Sequence, residues 1–338
     1  MTWRARLGLA WPLVALVCMA TTSALAGKYV ETPELEHLVA KGKLPPVAER
    51  LPQVPRVIDL PARGRQNGRH GGLMRMLMGR EKDLRILVYY AYARLVGFNE
   101  KLDLEPDILE SFEVEEGRKF TFRLRPGHKW SDGHPFTAED FRFYWEHIAN
   151  NKKLSRHGPH EHLLVAGKPP MFEVIDPLTV RYTWDAPNPD FLPAIAGTRA
   201  LYIFAPAHYL KQFHKDFADP KRLKAAVAAA NVRNWAALFR DMSSQYMPTN
   251  TELPTLEAWR NTTPPPSSLY RFKRNPYFHR VDTAGRQLPY IDDVTMAIGS
   301  ASLIPAKTGS GESDLQGRYI RFDNYTFLKA AEKRDVIK

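Results

Sequence analysis

Cysteine is nearly absent from this sequence, which has a single cysteine, Cys18, in 338 residues. Cys18 lies in an apolar segment that follows Arg4 and Arg6 and leads to the small residues Ala24 and Ala26. This arrangement is typical of a secretory signal peptide, so we expect residues 1–26 to be cleaved off. The exported chain then has no cysteine, which excludes disulfides and thiolate metal sites.

Long hydrophobic runs are also scarce. The apolar segment at residues 7–20 is interrupted by Pro12 and is shorter than the roughly 20 residues that a membrane-spanning helix needs, so a membrane anchor is the weaker interpretation. A lipoprotein is disfavoured because the residues before Cys18 lack the small side chain expected there. No second apolar stretch is long enough to cross a bilayer, and we expect a soluble exported product.

Acidic residues are outnumbered, since 37 Asp and Glu stand against 48 Lys and Arg and the formal net charge is +11. Such a surplus is compatible with nucleic acid or an anionic membrane as a partner. The basic residues are scattered, however, and residues 211–224 form only a modest cluster. We therefore interpret the charge as a solvated surface and expect no nucleic-acid partner.

Recognisable catalytic motifs are missing. The sequence has no G-x-S-x-G, H-E-x-x-H, P-loop or G-x-G-x-x-G, so we expect no enzyme, with a secreted hydrolase kept as the alternative from another class. Ser131, Asp132 and His134 are neighbours in one turn, and adjacency of this kind does not build a catalytic triad.

Three histidines, His157, His160 and His162, lie within six residues and raise the alternative of a transition-metal site. Their spacing suits a helix face poorly, and Glu161 is the one carboxylate close in sequence. A solvated loop is the better interpretation, so we expect neither a metal site nor a cofactor.

The clearest local pattern is a strand, a turn and a helix in succession. Phe120, Phe122 and Leu124 alternate with polar residues and predict a strand over 119–125, which Pro126 and the next residue, a glycine, end. After a second turn at 131–133, Thr137 and Asp140 have the spacing of a capping box at the start of a helix.

The same reasoning predicts further elements. Strands are expected at 71–78, 110–115, 172–175, 179–184, 269–273 and 294–298, with hairpins joining 110–115 to 119–125 and 172–175 to 179–184. Helices are expected over 84–96, 219–230, from Asn234 onward and over 324–334. Residues 28–70 are expected to be an extended surface segment, and 275–292 a polar loop.

Several segments resemble a known family. Residues 122–133 read FRLRPGHKWSDG and lead into PFTAED at 135–140, which closely resembles the signature of the periplasmic solute-binding proteins of peptide and nickel ABC transporters. Further resemblances are LEPDILESFEV at 104–114, VIDPLTV at 174–180, RNPYF at 274–278, QLPYID at 287–292 and GESDLQGR at 311–318. One departure is PPPSS at 264–268, where the family usually has a glycine before the following strand.

The resemblance implies an α/β fold, a lobe like that of class II periplasmic binding proteins with an extra α+β subdomain. On this basis residues 27–88 and 172–325 would form the main lobe, 89–171 an inserted subdomain and 326–338 the start of a second lobe. Family members are much longer, so we expect the chain to be an N-terminal half in which the second lobe is missing.

The resemblance also implies a function. In the family two lobes close on a ligand, and the closed form delivers it to a membrane permease; peptides are the commonest ligands. We therefore expect a periplasmic, monomeric peptide-binding component of an ABC importer. Nickel or metal-chelate binding and oligosaccharide binding are the alternatives within the family.

The resemblance further places ligand contacts at six positions. The loop after the first strand is expected to meet the ligand backbone, His157 to contact it from the extra subdomain, and two residues to contact it from the hinge-facing side. The six residues are Arg80, Glu81, Lys82, His157, Trp259 and Gln316.

Overall fold

The computed structural model describes residues 29–199 and 201–338. The predicted signal peptide at 1–26 lies outside the described residues. Among the residues that are described, no helix combines the length and the apolar character needed to cross a membrane.

The regular elements of the described residues are short. The strands are β1 (Arg56–Ile58), β2 (Leu73–Met78), β3 (Val96–Phe98), β4 (Leu104–Pro106), β5 (Leu109–Glu115), β6 (Lys119–Leu124), β7 (Met171–Asp176), β8 (Thr179–Thr183), β9 (Trp259–Asn261), β10 (Leu269–Arg274), β11 (Arg280–Asp282) and β12 (Asp293–Ile298). The α-helices are α1 (Pro33–Ala40), α2 (Val47–Arg50), α3 (Ile86–Ala91), α4 (Ala138–Phe143), α5 (Phe191–Ala196), α6 (Ala207–Leu210), α7 (Pro220–Ala229), α8 (Trp235–Met242), α9 (Ile304–Gly309) and α10 (Tyr325–Glu332).

One larger sheet is mixed, with the strand order β2-β12-β10-β9. β2 runs parallel to β12, whereas β10 is antiparallel to both of its neighbours. The three methionines of β2 are buried and pack in one cluster with Tyr270 of β10 and Leu87 of α3. The strands predicted around 71–78, 269–273 and 294–298 are confirmed.

The other larger sheet is antiparallel, with the order β5-β6-β8-β7, and both predicted hairpins are confirmed. Phe122 of β6 lies opposite Val180 of β8, and both side chains are fully buried. They belong to the main core, together with Trp130 of the turn after β6 and Phe191 of α5. Alternation along the two central strands, β6 and β8, therefore supplies one apolar face, as the sequence pattern predicts.

The helix start predicted at Thr137 is confirmed as a capping box. The Thr137 hydroxyl accepts a hydrogen bond from the Glu139 amide at 3.3 Å, and the Asp140 carboxylate accepts one from the Thr137 amide at 3.0 Å. The same carboxylate also accepts from the Trp130 indole N–H at 3.1 Å and from the Ala207 amide at 3.0 Å. Asp140 therefore joins the turn, α4 and the start of α6.

The helix predicted over 84–96 is shorter than expected. α3 ends at Ala91 because Tyr92 takes a left-handed φ of 45°. Arg94 then turns inward, and its buried guanidinium donates to the carbonyl oxygens of Val88 at 3.1 Å and Thr198 at 2.7 Å. An apolar run of this length does not distinguish one long helix from a helix, a buried turn and a strand.

The predictions of an irregular lead at 28–70 and a plain loop at 275–292 are wrong. The first contains α1, α2 and β1, and β1 pairs in parallel with β11 of the second. Arg50 of α2 is fully buried, donates to Glu31 at 2.6 Å and donates to the Pro276 carbonyl at 2.9 Å. This packing depends on a buried ion pair rather than on apolar periodicity, which is why the pattern did not indicate it.

The division into a main lobe and a subdomain at 89–171 stays a prediction. One observation bears on it: β7 and β8, at 171–183, pair into the same sheet as β5 and β6. A subdomain boundary between residues 171 and 172 would separate β7 and β8 from β5 and β6 of the same sheet. The pairing therefore favours a boundary after β8.

Candidate ligand-binding face

The turn that follows β2 carries three of the six side chains expected to contact a ligand. After β2 the chain enters a 3-10 turn at Glu81–Arg85. The Glu81 carboxylate accepts a hydrogen bond from the Tyr270 hydroxyl at 2.7 Å. Lys82 is exposed, and its side chain makes no hydrogen bond or ion pair with the described residues. Arg80 is 53% exposed at its side chain. We call these three side chains, Arg80, Glu81 and Lys82, the candidate face.

Asp83 holds the candidate face in position. Its carboxylate is fully buried and accepts a hydrogen bond from the Tyr319 hydroxyl at 2.6 Å. The Nε atoms of Arg318 and Arg80 lie 3.1 Å and 3.7 Å from the same carboxylate. These cations offset the cost of burying a charge, which is large when it is unpaired. The turn is thus attached to the 318–319 segment while Arg80 stays accessible.

The side chain of Gln316 makes hydrogen bonds to the backbone of β2, close to the turn that carries the candidate face. Its Oε1 accepts from the Leu77 amide at 3.0 Å, and its Nε2 donates to the Leu77 carbonyl at 3.0 Å. Asp314 acts similarly on the same strand, since it accepts from the Arg75 amide at 2.7 Å. β2 is an edge strand of its sheet, so these two side chains pair with backbone groups that a neighbouring strand would otherwise bind.

Trp259 lies on β9, at the opposite edge of the mixed sheet, and its indole N–H donates to the Ile291 carbonyl at 3.0 Å. It lines a cavity with Leu87 and the buried Glu257. Burial raises the pKa of Glu257 to about 7, although Arg94, 3.2 Å away, favours the ionised form. Glu257 Oε2 has no hydrogen-bond partner among the described residues.

His157 lies on an exposed loop and makes no hydrogen bond or ring contact with the other five predicted residues within the described part of the chain. Its neighbours His160 and His162 stack with ring centroids 5.2 Å apart. Together with Glu161 they present possible metal-ligating atoms within 4.8 Å of one another, and His157 is not in this group. The structure therefore assembles two of the three histidines, not all three.

Three of the six predicted residues, Arg80, Glu81 and Lys82, are consecutive at the turn after β2, and Gln316 hydrogen-bonds to Leu77 near the carboxyl end of the same strand. Sequence reasoning missed Asp83 and the two tyrosines that fix the turn, Tyr270 and Tyr319. Asp83 directly follows the three predicted residues, and this adjacency was the one feature of the sequence that could have indicated its role. Nothing in the sequence pattern indicated Tyr319, because it lies outside any periodic segment.

A family model described as bacterial extracellular solute-binding proteins, family 5 Middle, matches residues 103–337. The chain belongs to this family. The match includes the capping box at Thr137 and Asp140 and confirms the resemblance predicted from the sequence motifs. The mixed α/β fold of family 5 is accordingly the fold of the described residues.

Two curated relatives of this chain are periplasmic binding proteins by name. The periplasmic alpha-galactoside-binding protein of Rhizobium meliloti (strain 1021) is 30% identical over 301 residues, which are 82% of this chain and 40% of that protein. The periplasmic oligopeptide-binding protein OppA of Salmonella typhimurium (strain LT2) is 26% identical over 142 residues, covering 38% of this chain and 26% of that protein. These relatives are named as binding proteins rather than as enzymes.

Solved structures show the same fold. An oligopeptide-binding protein OppA superimposes with a TM-score of 0.80 and 34% identity, covering 90% of this chain and 48% of that one. The periplasmic binding protein MelB of Agrobacterium fabrum C58, in complex with stachyose, gives a TM-score of 0.70 at 24% identity, covering 90% and 46%. The chain therefore spans less than half the length of these relatives.

Proposed function

We propose that this protein is the substrate-binding component of an ABC importer, which binds oligopeptides in the periplasm and delivers them to a membrane permease. The observation that carries the proposal is the 34% identity and TM-score of 0.80 to an oligopeptide-binding protein over 90% of this chain. Membership of family 5 across residues 103–337 supports it independently.

The candidate face suits a peptide. A peptide offers charged termini as well as backbone donors and acceptors, and the candidate face offers two cations and one carboxylate on consecutive residues of one turn. Glu81 is held by Tyr270 and the turn by Asp83, so the turn backbone and Glu81 lose little conformational freedom on binding. Lys82 is the side chain left fully available for a ligand carboxylate or carbonyl group.

The role we assign is binding, with no bond made or broken. Ligand contacts on two lobes would favour the closed state, and a permease would recognise that state, so transport follows from a population shift. We propose that the protein acts as a monomer after cleavage of residues 1–26. Of the six residues, Arg80, Glu81 and Lys82 are proposed as direct contacts, and Gln316 as the residue that anchors the β2 edge beside them.

Titration calorimetry of the purified protein with mixed tripeptides to pentapeptides tests the proposal. We expect saturable binding that weakens by about a hundredfold or more in the double variant R80A/K82A, because each of the two charged hydrogen bonds contributes about 1.5–3 kcal/mol. The control K41A/R69A removes two exposed cations elsewhere and should bind like the wild type. Absence of peptide binding, or equal loss in both variants, would contradict the proposal.

Oligosaccharide binding is the second candidate. It is favoured by the identity to the alpha-galactoside-binding protein, which extends over 82% of this chain. The same calorimetry with stachyose in place of peptides separates the two candidates. Heat from stachyose and none from peptides would assign the protein to sugars.

A further inference from the structure

A basic pocket lies on the surface away from the candidate face. Five cationic side chains line it, from two segments that are about 80 residues apart in sequence: Lys152, Lys153, Arg156, Arg233 and Arg240. The cavity is open and measures about 420 Å³. It shares no residue with the candidate face, so a function of this pocket goes beyond the proposed function.

No acidic side chain lines the basic pocket within the described residues. Lys152, Arg156 and Arg233 are exposed, and their side chains make no ion pair or hydrogen bond to the described residues. By contrast, Arg142 of α4, earlier on the same stretch of chain, is paired with Glu139 at 2.6 Å. Five like charges around one concavity repel each other, and a bound anion would relieve that repulsion.

Hydrogen bonds order the backbone of both segments that form the basic pocket. In the first segment the Asn151 side chain accepts from the Lys153 amide at 3.0 Å, and the Ser155 hydroxyl donates to the Ile148 carbonyl at 2.9 Å. Arg240 links the two segments, since its guanidinium donates to the Lys153 carbonyl at 3.3 Å. An anion would therefore meet a backbone frame and one arginine, Arg240, that are already ordered.

The second segment is equally constrained. Asn234 caps α8 by accepting from the Ala237 amide at 3.0 Å. Trp235 lines the pocket and packs edge-on against the buried His214, with ring centroids 5.0 Å apart. The first turn of α8 adds the positive end of its helix dipole to the five side-chain charges.

We propose that the basic pocket binds a phosphate group. Three of its cations are arginines, whose planar guanidinium groups pair with two oxygens of one phosphate, and a phosphate carries up to two charges where a carboxylate carries one. The volume lies within the range of small-molecule sites, so there is room for the molecule that carries the phosphate. Free phosphate compounds and phospholipid headgroups both supply this chemistry.

Two sets of probes distinguish these sources. Titration calorimetry at low ionic strength uses inorganic phosphate and pyrophosphate, and cosedimentation uses vesicles of phosphatidylglycerol against vesicles of phosphatidylcholine. We expect saturable binding of at least one phosphate probe that weakens as salt is added, because exposed charges are screened. Binding confined to the soluble probes assigns a free phosphate compound, and binding to phosphatidylglycerol vesicles assigns a lipid headgroup.

The variants make the test specific. R156A/R233A should weaken phosphate binding by about tenfold or more, and R156K/R233K should fall between it and the wild type, because lysine keeps the charge and loses the bidentate geometry. R65A/R69A removes two exposed, unpaired arginines elsewhere and should leave binding unchanged. All three are surface variants whose folding is checked by circular dichroism.

Peptide binding should be the same in R156A/R233A as in the wild type, which separates this proposal from the proposed function. If neither the soluble probes nor the vesicles bind, or if R65A/R69A loses as much affinity as R156A/R233A, the basic pocket is not a phosphate site.

Discussion

Replacing Asp140 by alanine should destabilise the protein much more than the same change at its neighbour Glu139. Its carboxylate is 3% exposed and accepts hydrogen bonds from the amides of Thr137 and Ala207 and from the indole of Trp130. The substitution leaves two buried N–H groups, those of Trp130 and Ala207, and the half-buried Thr137 amide without a partner, and each buried group costs about 1–3 kcal/mol. These losses are not additive, because the groups share one site, so we expect a decrease of about 3–5 kcal/mol in the free energy of unfolding.

Urea unfolding followed by circular dichroism measures this change. Glu139→Ala is the matched control, since Glu139 is the next residue on the same helix and forms exposed ion pairs with Arg142 and Lys211. Exposed pairs of this kind contribute about 0–1 kcal/mol. Asp140→Asn, which keeps an acceptor oxygen, should lie between the two. Equal loss for the alanine variants at 139 and 140 would refute the reasoning.

Three other changes have defined outcomes. Gln316→Ala leaves a backbone N–H and C=O of β2 unpaired and should lower the free energy of unfolding in urea by about 2–3 kcal/mol. Folding raises the pKa of Glu257 from 4.5 to about 7, so between these pH values the carboxyl group is protonated in the folded chain and ionised in the unfolded chain. The free energy of unfolding should therefore fall as the pH rises through this range. The melting temperature of Glu257→Gln should depend less on pH over that range than the melting temperature of the wild type. An equal pH dependence in both proteins would contradict the raised pKa of Glu257. Gly79→Ala would place a methyl group 2.5 Å from the Tyr319 hydroxyl and should weaken peptide binding, measured by calorimetry, whereas Gly299→Ala, with open space around it, should not.

Most strands of the two larger sheets and both hairpins were predictable from the sequence because their information is local, whereas the pairing of β2 with β12 was not. Three features depend only on neighbouring residues. They are the alternation in β6 and β8, the turn that joins β7 to β8, and the capping box at Thr137 and Asp140. The partners of Asp140 across the fold were not predictable. Ala207 is 67 residues away, and no local pattern specifies which amide will face a buried carboxylate.

The candidate face shows the same limit. The loop at Arg80, Glu81 and Lys82 was expected from family resemblance, but the groups that hold it come from remote segments. Tyr319 reaches Asp83 across 236 residues. The basic pocket is a stronger case, because its cations appear scattered along the sequence and only the fold places residues 152–156 beside 233–240.

The exposed edge of β2 has a consequence for self-association. An open strand edge is a template on which another molecule can add a strand. Here Asp314 and Gln316 already occupy the N–H groups at Arg75 and Leu77, so an incoming chain would have to displace two side chains before it could extend the sheet. Asp314 and Gln316 thus protect the edge of β2 against strand addition by another molecule. A substitution that removes their hydrogen bonds to β2 would favour fibre-like aggregates.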